Sequence, residues 1–140
     1  MTVALTLSNL PLDIGGQNAY PDGYVQTLLS AAAVTVTDTT GYFSLPYMIA
    51  AAKVKLIVNI SALSGGSSPT LTVGYFESVD GGTSYNPTAA VTTTALAATG
   101  VVYTAAATGP LFPGGRLGLT IGGTGTPTFT VSAYLAVWNR

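Results

Sequence analysis

The chain has 140 residues, of which 6% are charged, a formal net charge of −1, and neither His nor Cys. A soluble domain of this length ordinarily carries about 35 ionised side chains, so the exterior is poor in charge and copies repel one another weakly. The missing residue types exclude Ser-His-Asp and Cys-His catalysis, disulfides and thiolate or imidazole metal sites, and the lack of a basic excess argues against nucleic acid as a partner.

In chain order, Thr2–Leu7 reads as a first strand. The segment from Ser8 to Tyr24 (SNLPLDIGGQNAYPDGY) holds two prolines, three glycines and a Pro21-Asp22-Gly23 turn signal. It is long for a connection in a compact domain, so it is expected to be an extended loop or an arm that packs on a neighbour. Val25–Leu29 and Ala33–Asp38 read as short strands. Residues 41–46 read as a turn carrying exposed aromatics, and 47–52 as a helical turn. Lys53–Ala62 alternates cleanly: Val54, Leu56, Val58 and Ile60 share one face, Lys53, Lys55, Ile57 and Asn59 the other. Ser64–Pro69 is a turn and Thr70–Ser78 its return strand, followed by a tight Asp80-Gly81-Gly82 turn. Thr88–Thr94, Val101–Ala105, Arg116–Ile121 and Thr128–Val137 complete the strands.

A short repeat runs through this pattern. Lys55–Ile60 (KLIVNI) matches Arg116–Ile121 (RLGLTI), and each is followed by a Gly-Gly loop, a proline and a strand, SPTLTV over 68–73 and TPTFTV over 126–131. A duplicated hairpin in a pseudo-symmetric sandwich and convergent strand–turn composition both account for it. Thr occurs 22 times and Gly 17 times, which suits pleated sheet and turns rather than helix. The expected fold is all-β: one antiparallel β-sandwich over 1–140, jelly-roll-like or Ig-like, with little or no helix and with 8–24 as the arm.

No apolar run reaches about 18 residues, so no membrane-spanning helix is expected. The opening MTVALTLSNLPLD has no basic or apolar signal region, which predicts synthesis in the cytoplasm. Of the few ionisable groups, Glu77 and Asp80 form the closest carboxylate pair. They fall at a strand end and in its turn, where Asp serves local hydrogen bonding; a calcium site there would need six to eight oxygens. Neither lysine follows a Gly-rich phosphate loop. No catalytic, cofactor-binding or metal-ligating residue is predicted, and the chain is expected not to be an enzyme. Residues 78–85 (SVDGGTSY) resemble the Asp box of sialidase-like propellers, a turn motif remote from catalysis, which implies a β-hairpin turn.

The functional expectation is therefore contact with other subunits. Candidate interface residues are Leu10, Leu12 and Ile14 of the arm; the aromatics Tyr20, Tyr24, Tyr42, Phe43, Tyr47 and Trp138; and the cations Lys53, Lys55 and Arg116. Tyr and Trp are enriched at interfaces, and the cations suit an acidic partner. The same aromatics in a monomeric carbohydrate-binding module would stack on sugars.

The stretch from Lys55 to Trp138 resembles small β-sandwich structural proteins of tailed bacteriophages. The resemblance is carried by the strands GGSSPTLTV and GGTGTPTFTV, the turn ESVDGGTSY and the strand entry FPGGRL. It implies a virion protein made in the host cytoplasm: a head decoration (cement) protein in first place, a tail or connector component in second. It also implies a homo-oligomer such as a trimer, partnered by a major capsid protein or other virion subunits, with no membrane partner and no cofactor.

Overall fold

The computed structural model describes residues 23–45, 53–104, 107–108 and 114–138. Their strands are β1 (Gly23–Val34), β2 (Asp38–Thr39), β3 (Phe43–Ser44), β4 (Lys53–Ser64), β5 (Ser67–Ser78), β6 (Val91–Thr92), β7 (Gly100–Tyr103), β8 (Ala107–Thr108), β9 (Gly114–Thr124) and β10 (Thr128–Trp138). They form two antiparallel sheets. The first has the order β1-β10-β4-β7, with β8 continuing along the same β4 edge. The second has the order β2-β9-β5-β6, with β3 continuing along the edge of β9.

Taken as strand positions, the pairing is nested: first with last (β1·β10), second with second-last (β2 and β3·β9), then β4 with β7 and β8, and β5 with β6 at the tip. One long antiparallel hairpin, rolled so that β10 also meets β4 and β9 also meets β5, gives this order. It is a jelly roll, which decides between the two sandwich types expected from sequence. The earliest expected strand (2–7), the 8–22 part of the arm and the expected helical turn at 47–52 lie outside the described residues.

The core forms as the alternation dictates. Val54, Leu56, Val58 and Ile60 of β4 and Phe129, Val131, Ala133, Leu135 and Val137 of β10 are buried against Leu71, Val73 and Tyr75 of β5 and Leu117 and Leu119 of β9. Each such aliphatic side chain contributes about 1.5–3 kcal/mol by leaving water.

Three strands differ from expectation. The segments Val25–Leu29 and Ala33–Asp38 are not two separate strands: β1 covers the first and runs on to Val34, residues 35–37 are outside any strand, and Asp38 opens β2. Register shifts at 27–29 and 29–32 absorb the break, with Ala31 at φ 45° and its N–H donating to Ser132 Oγ at 2.9 Å. Bulges of this kind are common on edge strands. Gly23 and Tyr24, assigned to the arm, open this strand. The expected return strand 70–78 does not pair with β4: β5 belongs to the other sheet, because β4 is already flanked by β10 and β7.

That crossing explains the repeat. β4 to β5 passes from the first sheet to the second, and β9 to β10 passes back. Exchanging β4 with β9 and β5 with β10, as the repeat does, turns the β4·β10 pair into β9·β5. The repeated units are crossovers rather than hydrogen-bonded hairpins. The two Gly-containing loops meet: a Cβ on Gly65 would lie 2.7 Å from the Thr126 carbonyl oxygen, and one on Gly125 would lie 3.0 Å from Gly66 Cα. Only glycine permits this approach, and both positions have positive φ.

Threonine does more than favour extended backbone. At the edge of β4, the Thr104 N–H donates to the Leu56 carbonyl at 3.0 Å, and Thr104 Oγ1 accepts from the Leu56 N–H at 2.9 Å. At the edge of β5, Thr93 makes the same pair of bonds with Val73, at 2.9 and 3.0 Å. Beside β9, Thr40 does so with Leu117, and Thr37 Oγ1 accepts from Ile121. In each case a hydroxyl replaces a backbone carbonyl where the edge strand is interrupted, so a ladder N–H is not left unpaired.

Replacing Thr104 or Thr93 by Val, which keeps the shape and removes the acceptor, is expected to destabilise the fold by about 1–3 kcal/mol each. Ser at either position should restore most of that. Thr120→Val, on the exposed side of β9, should change stability by less than about 0.5 kcal/mol. Urea unfolding midpoints of the variants decide this.

Candidate functional site

Of the residues expected at an interface, Leu10, Leu12, Ile14, Tyr20 and Tyr47 lie outside the described residues. Trp138 ends β10, its backbone opposite Gly23 and Lys53. Tyr24 is only 3% exposed and belongs to the core, because β1 has already begun there and its first inward position is residue 24. Phe43 is half-buried against the core. Tyr42 is wedged inside the chain: a Cβ on Gly82 would lie 2.9 Å from Tyr42 Cβ, and one on Gly114 would lie 2.5 Å from its hydroxyl. The 41–45 aromatics therefore close one end of the sandwich instead of standing exposed.

The three cations occupy two different surfaces. Lys53 and Lys55 sit on the outer face of the first sheet. Arg116 sits on the outer face of the second, at the position related to Lys55 by the repeat. Two of them lie over an aromatic ring: Lys55 Nζ lies 5.9 Å from the Tyr103 ring centroid, and the Arg116 guanidinium carbon 3.9 Å from that of Tyr85.

On the first outer face, the register aligns Tyr103 (β7), Ile57 (β4) and Tyr134 (β10) side by side across three strands, ending on Thr27 of β1. Val101 lies two residues from Tyr103 on the same edge. Tyr103 is 63% and Val101 51% exposed, so this apolar row opens to the exterior, with Lys53 and Lys55 beside it. Sequence reading missed Tyr103 and Tyr134 as surface aromatics. The signal was present in the strand alternation, which places Tyr134 in phase with Thr130 and Ser132.

On the second outer face, a groove of about 590 Å³ runs between the residues around β2 and the loop after β5. The Phe76 ring lies across its floor over the facing pair Gly74 and Gly118; a Cβ on Gly118 would come 2.6 Å from Phe76 Cε2. Arg116, Tyr85, Asp38 and Asn86 also line it.

The Ser78–Tyr85 turn is built on one carboxylate. Asp80 accepts from Ser78 Oγ at 2.8 Å, from the Ser84 N–H at 2.9 Å and from Ser84 Oγ at 2.5 Å, while Ser78 Oγ accepts from the Gly82 N–H. These donors, those of Ser84 first, lower the Asp80 pKa from 3.8 to about 2. The carboxylate is committed to the turn, as its Asp-box resemblance implies, and the chain then returns along β5 through Asn86, Ala90 and Thr93. Tyr75 is buried, and its hydroxyl has no hydrogen-bond partner among the described residues. Burial first, then the Glu77 carboxylate, pushes its pKa upward. Among the described residues no group of three or more acidic side chains is placed to hold a metal ion.

No family model matches the chain, and no curated protein matches its sequence. Among solved structures it is similar to a chain in the structure of infectious bursal disease virus, Gx strain, with a TM-score of 0.51 and 16% identity. The match covers 82% of this chain and 31% of that one, so the chain spans about a third of its neighbour's length. At that identity the likeness is one of fold.

Because the Asp80 pKa is lowered in the folded state, its contribution to stability is full above about pH 4 and is lost as the pH falls towards about 2. Thermal unfolding of Asp80→Asn should lack this acid-limb component, and wild type and variant should converge at the lowest pH. A wild-type acid limb unchanged by the substitution would mean that the turn carboxylate is not what titrates.

Proposed function

We propose that the chain is a non-enzymatic virion structural protein, a jelly-roll subunit that works by being covered by neighbouring subunits. The observation that carries this reading is the first outer face. The Tyr103–Ile57–Tyr134 row is half-buried at Ile57 and Tyr134 and open to solvent at Tyr103 and the adjacent Val101 in a single copy, on a chain with only 6% charged residues. A face rich in Tyr, Ile, Thr and Ser loses little ion-desolvation energy when buried and presents the residue types that anchor interfaces. The strand order and the likeness to a chain from a virus particle support a shell component.

In its specific form, the protein decorates a tailed-phage head as a homo-oligomer and contacts the major capsid protein. The phage-like motifs in 65–131 support this form and equally the second one, a tail or connector component. Lys53 and Lys55 would pair with acidic groups of a neighbour at the rim of the apolar row, and the segment 8–22, with Leu10, Leu12, Ile14 and Tyr20, would reach across to an adjacent subunit.

Sedimentation velocity over a range of concentrations should show association beyond the monomer. Tyr103→Glu combined with Val101→Glu should weaken that association by at least about tenfold, or about 1.4 kcal/mol, while the circular dichroism spectrum and unfolding midpoint stay near wild type. A stable monomer at high concentration, or association indifferent to the double substitution, would contradict the reading.

A further inference from the structure

The groove on the second outer face is built differently from the assembly row on the first, and its chemistry is that of a ligand site. Arg116 is its centre. One face of the guanidinium is covered by the Tyr85 ring at 3.9 Å, and the N–H donors of a stacked guanidinium lie in its own plane. Nε is buried without a hydrogen-bond partner, so the donors a ligand can meet are those of the two terminal nitrogens. A stacked, orientated guanidinium matches a carboxylate, which the terminal nitrogens can hold through two parallel bonds.

The rest of the groove narrows the ligand. Phe76 packs close over Gly74 and Gly118, and its half-exposed ring gives the groove an apolar surface. Around it stand hydrogen-bonding groups of both senses. Asp38 offers acceptors. Asn86 uses its Oδ1 to accept from the Thr88 N–H at 3.0 Å, which leaves its amide N–H groups to donate. Thr120 presents an exposed hydroxyl. A peptide strand is poorly served here, because the face of a sheet offers no free backbone ladder and the backbone of β9 is bonded on both edges. A ring with an apolar face, hydroxyls around its rim and one carboxylate uses all of these features.

We propose that this groove binds a carboxylate-bearing sugar unit, with the acid on Arg116, the ring on Phe76 and the ring hydroxyls on Asp38, Asn86 and Thr120. This site is independent of the assembly reading and lies on the opposite face of the sandwich. Binding of one monosaccharide unit would be weak, with a dissociation constant on the order of millimolar. Repeated copies on an assembled particle would raise the apparent affinity for a polyvalent glycan by multivalency.

The test titrates the full chain with sodium glucuronate, N-acetylneuraminic acid, glucose and N-acetylglutamate, followed by amide and aromatic chemical shifts. At least one acidic sugar should bind saturably, shifting residues 38–39, 76, 85–86 and 116–120. Glucose and N-acetylglutamate, each lacking half of the recognised chemistry, should bind at least about tenfold more weakly. Arg116→Gln should reduce acidic-sugar binding by at least about tenfold, and Arg116→Lys by several-fold because the planar fork is lost. Should Arg116→Gln fold poorly, the exposed Asn86→Ala gives a second reading, with a several-fold loss expected; Lys53→Gln on the opposite face should change nothing. Glucose binding as well as glucuronate, N-acetylglutamate binding as well as either acidic sugar, or no saturation by about 20 mM would each overturn the proposal.

Discussion

The rest of the molecule depends on the antiparallel pairing of β10 with β4. Leu56 faces Leu135, Val58 faces Ala133 and Ile60 faces Val131, so the two strands present one continuous apolar surface. They lie some seventy positions apart in the chain, and their union closes the long hairpin onto itself. Once β10 is inserted between β1 and β4, β9 is carried to β5 and the second sheet follows. Such long-range pairing has a high loop-closure cost and is slow to form. The register must therefore be strongly specified, and it is: a slip of one residue would turn Leu56, Val58, Phe129 and Val131 outward together.

Around this centre, the edges are managed with hydroxyls rather than charge. Edge strands usually resist unwanted pairing with Lys, Pro or bulges. Here β1 is bulged at Ala31, and β2, β3, β6 and β8 are two residues each. Where these short edges leave a ladder donor unpaired, Thr40, Thr93 and Thr104 supply a side-chain acceptor. This device satisfies the backbone without an ionised group. It also gives the high threonine content a cause beyond strand propensity.

The repeat places its matching residues Lys55 and Arg116 on opposite outer faces, and the two faces differ in chemistry. Lys55 under Tyr103 flanks an open apolar row suited to protein contact, whereas Arg116 under Tyr85 stands in a groove beside the Phe76 platform. Matching positions of one sequence pattern thus stand on two surfaces of different chemistry.

The sequence by itself determined the fold class, the inward residues of β4, β5, β9 and β10, and the Asp80 turn, because period-2 alternation and local hydrogen bonding act between residues close in the chain. The shortage of charge and the repeat were equally plain. Tertiary structure alone decided the rest. Nothing local reveals that β5 leaves β4 for the other sheet, since a Gly-Gly loop serves a hairpin or a crossover alike. Tyr24 reads locally as a loop anchor but lies in the core, because the start of β1 is fixed by pairing with Val137 rather than by the Pro-Asp-Gly signal before it. The Arg116 groove draws Asp38, Phe76, Tyr85 and Asn86 from three separate stretches of chain. Such a site exists only once long-range register has set those stretches side by side.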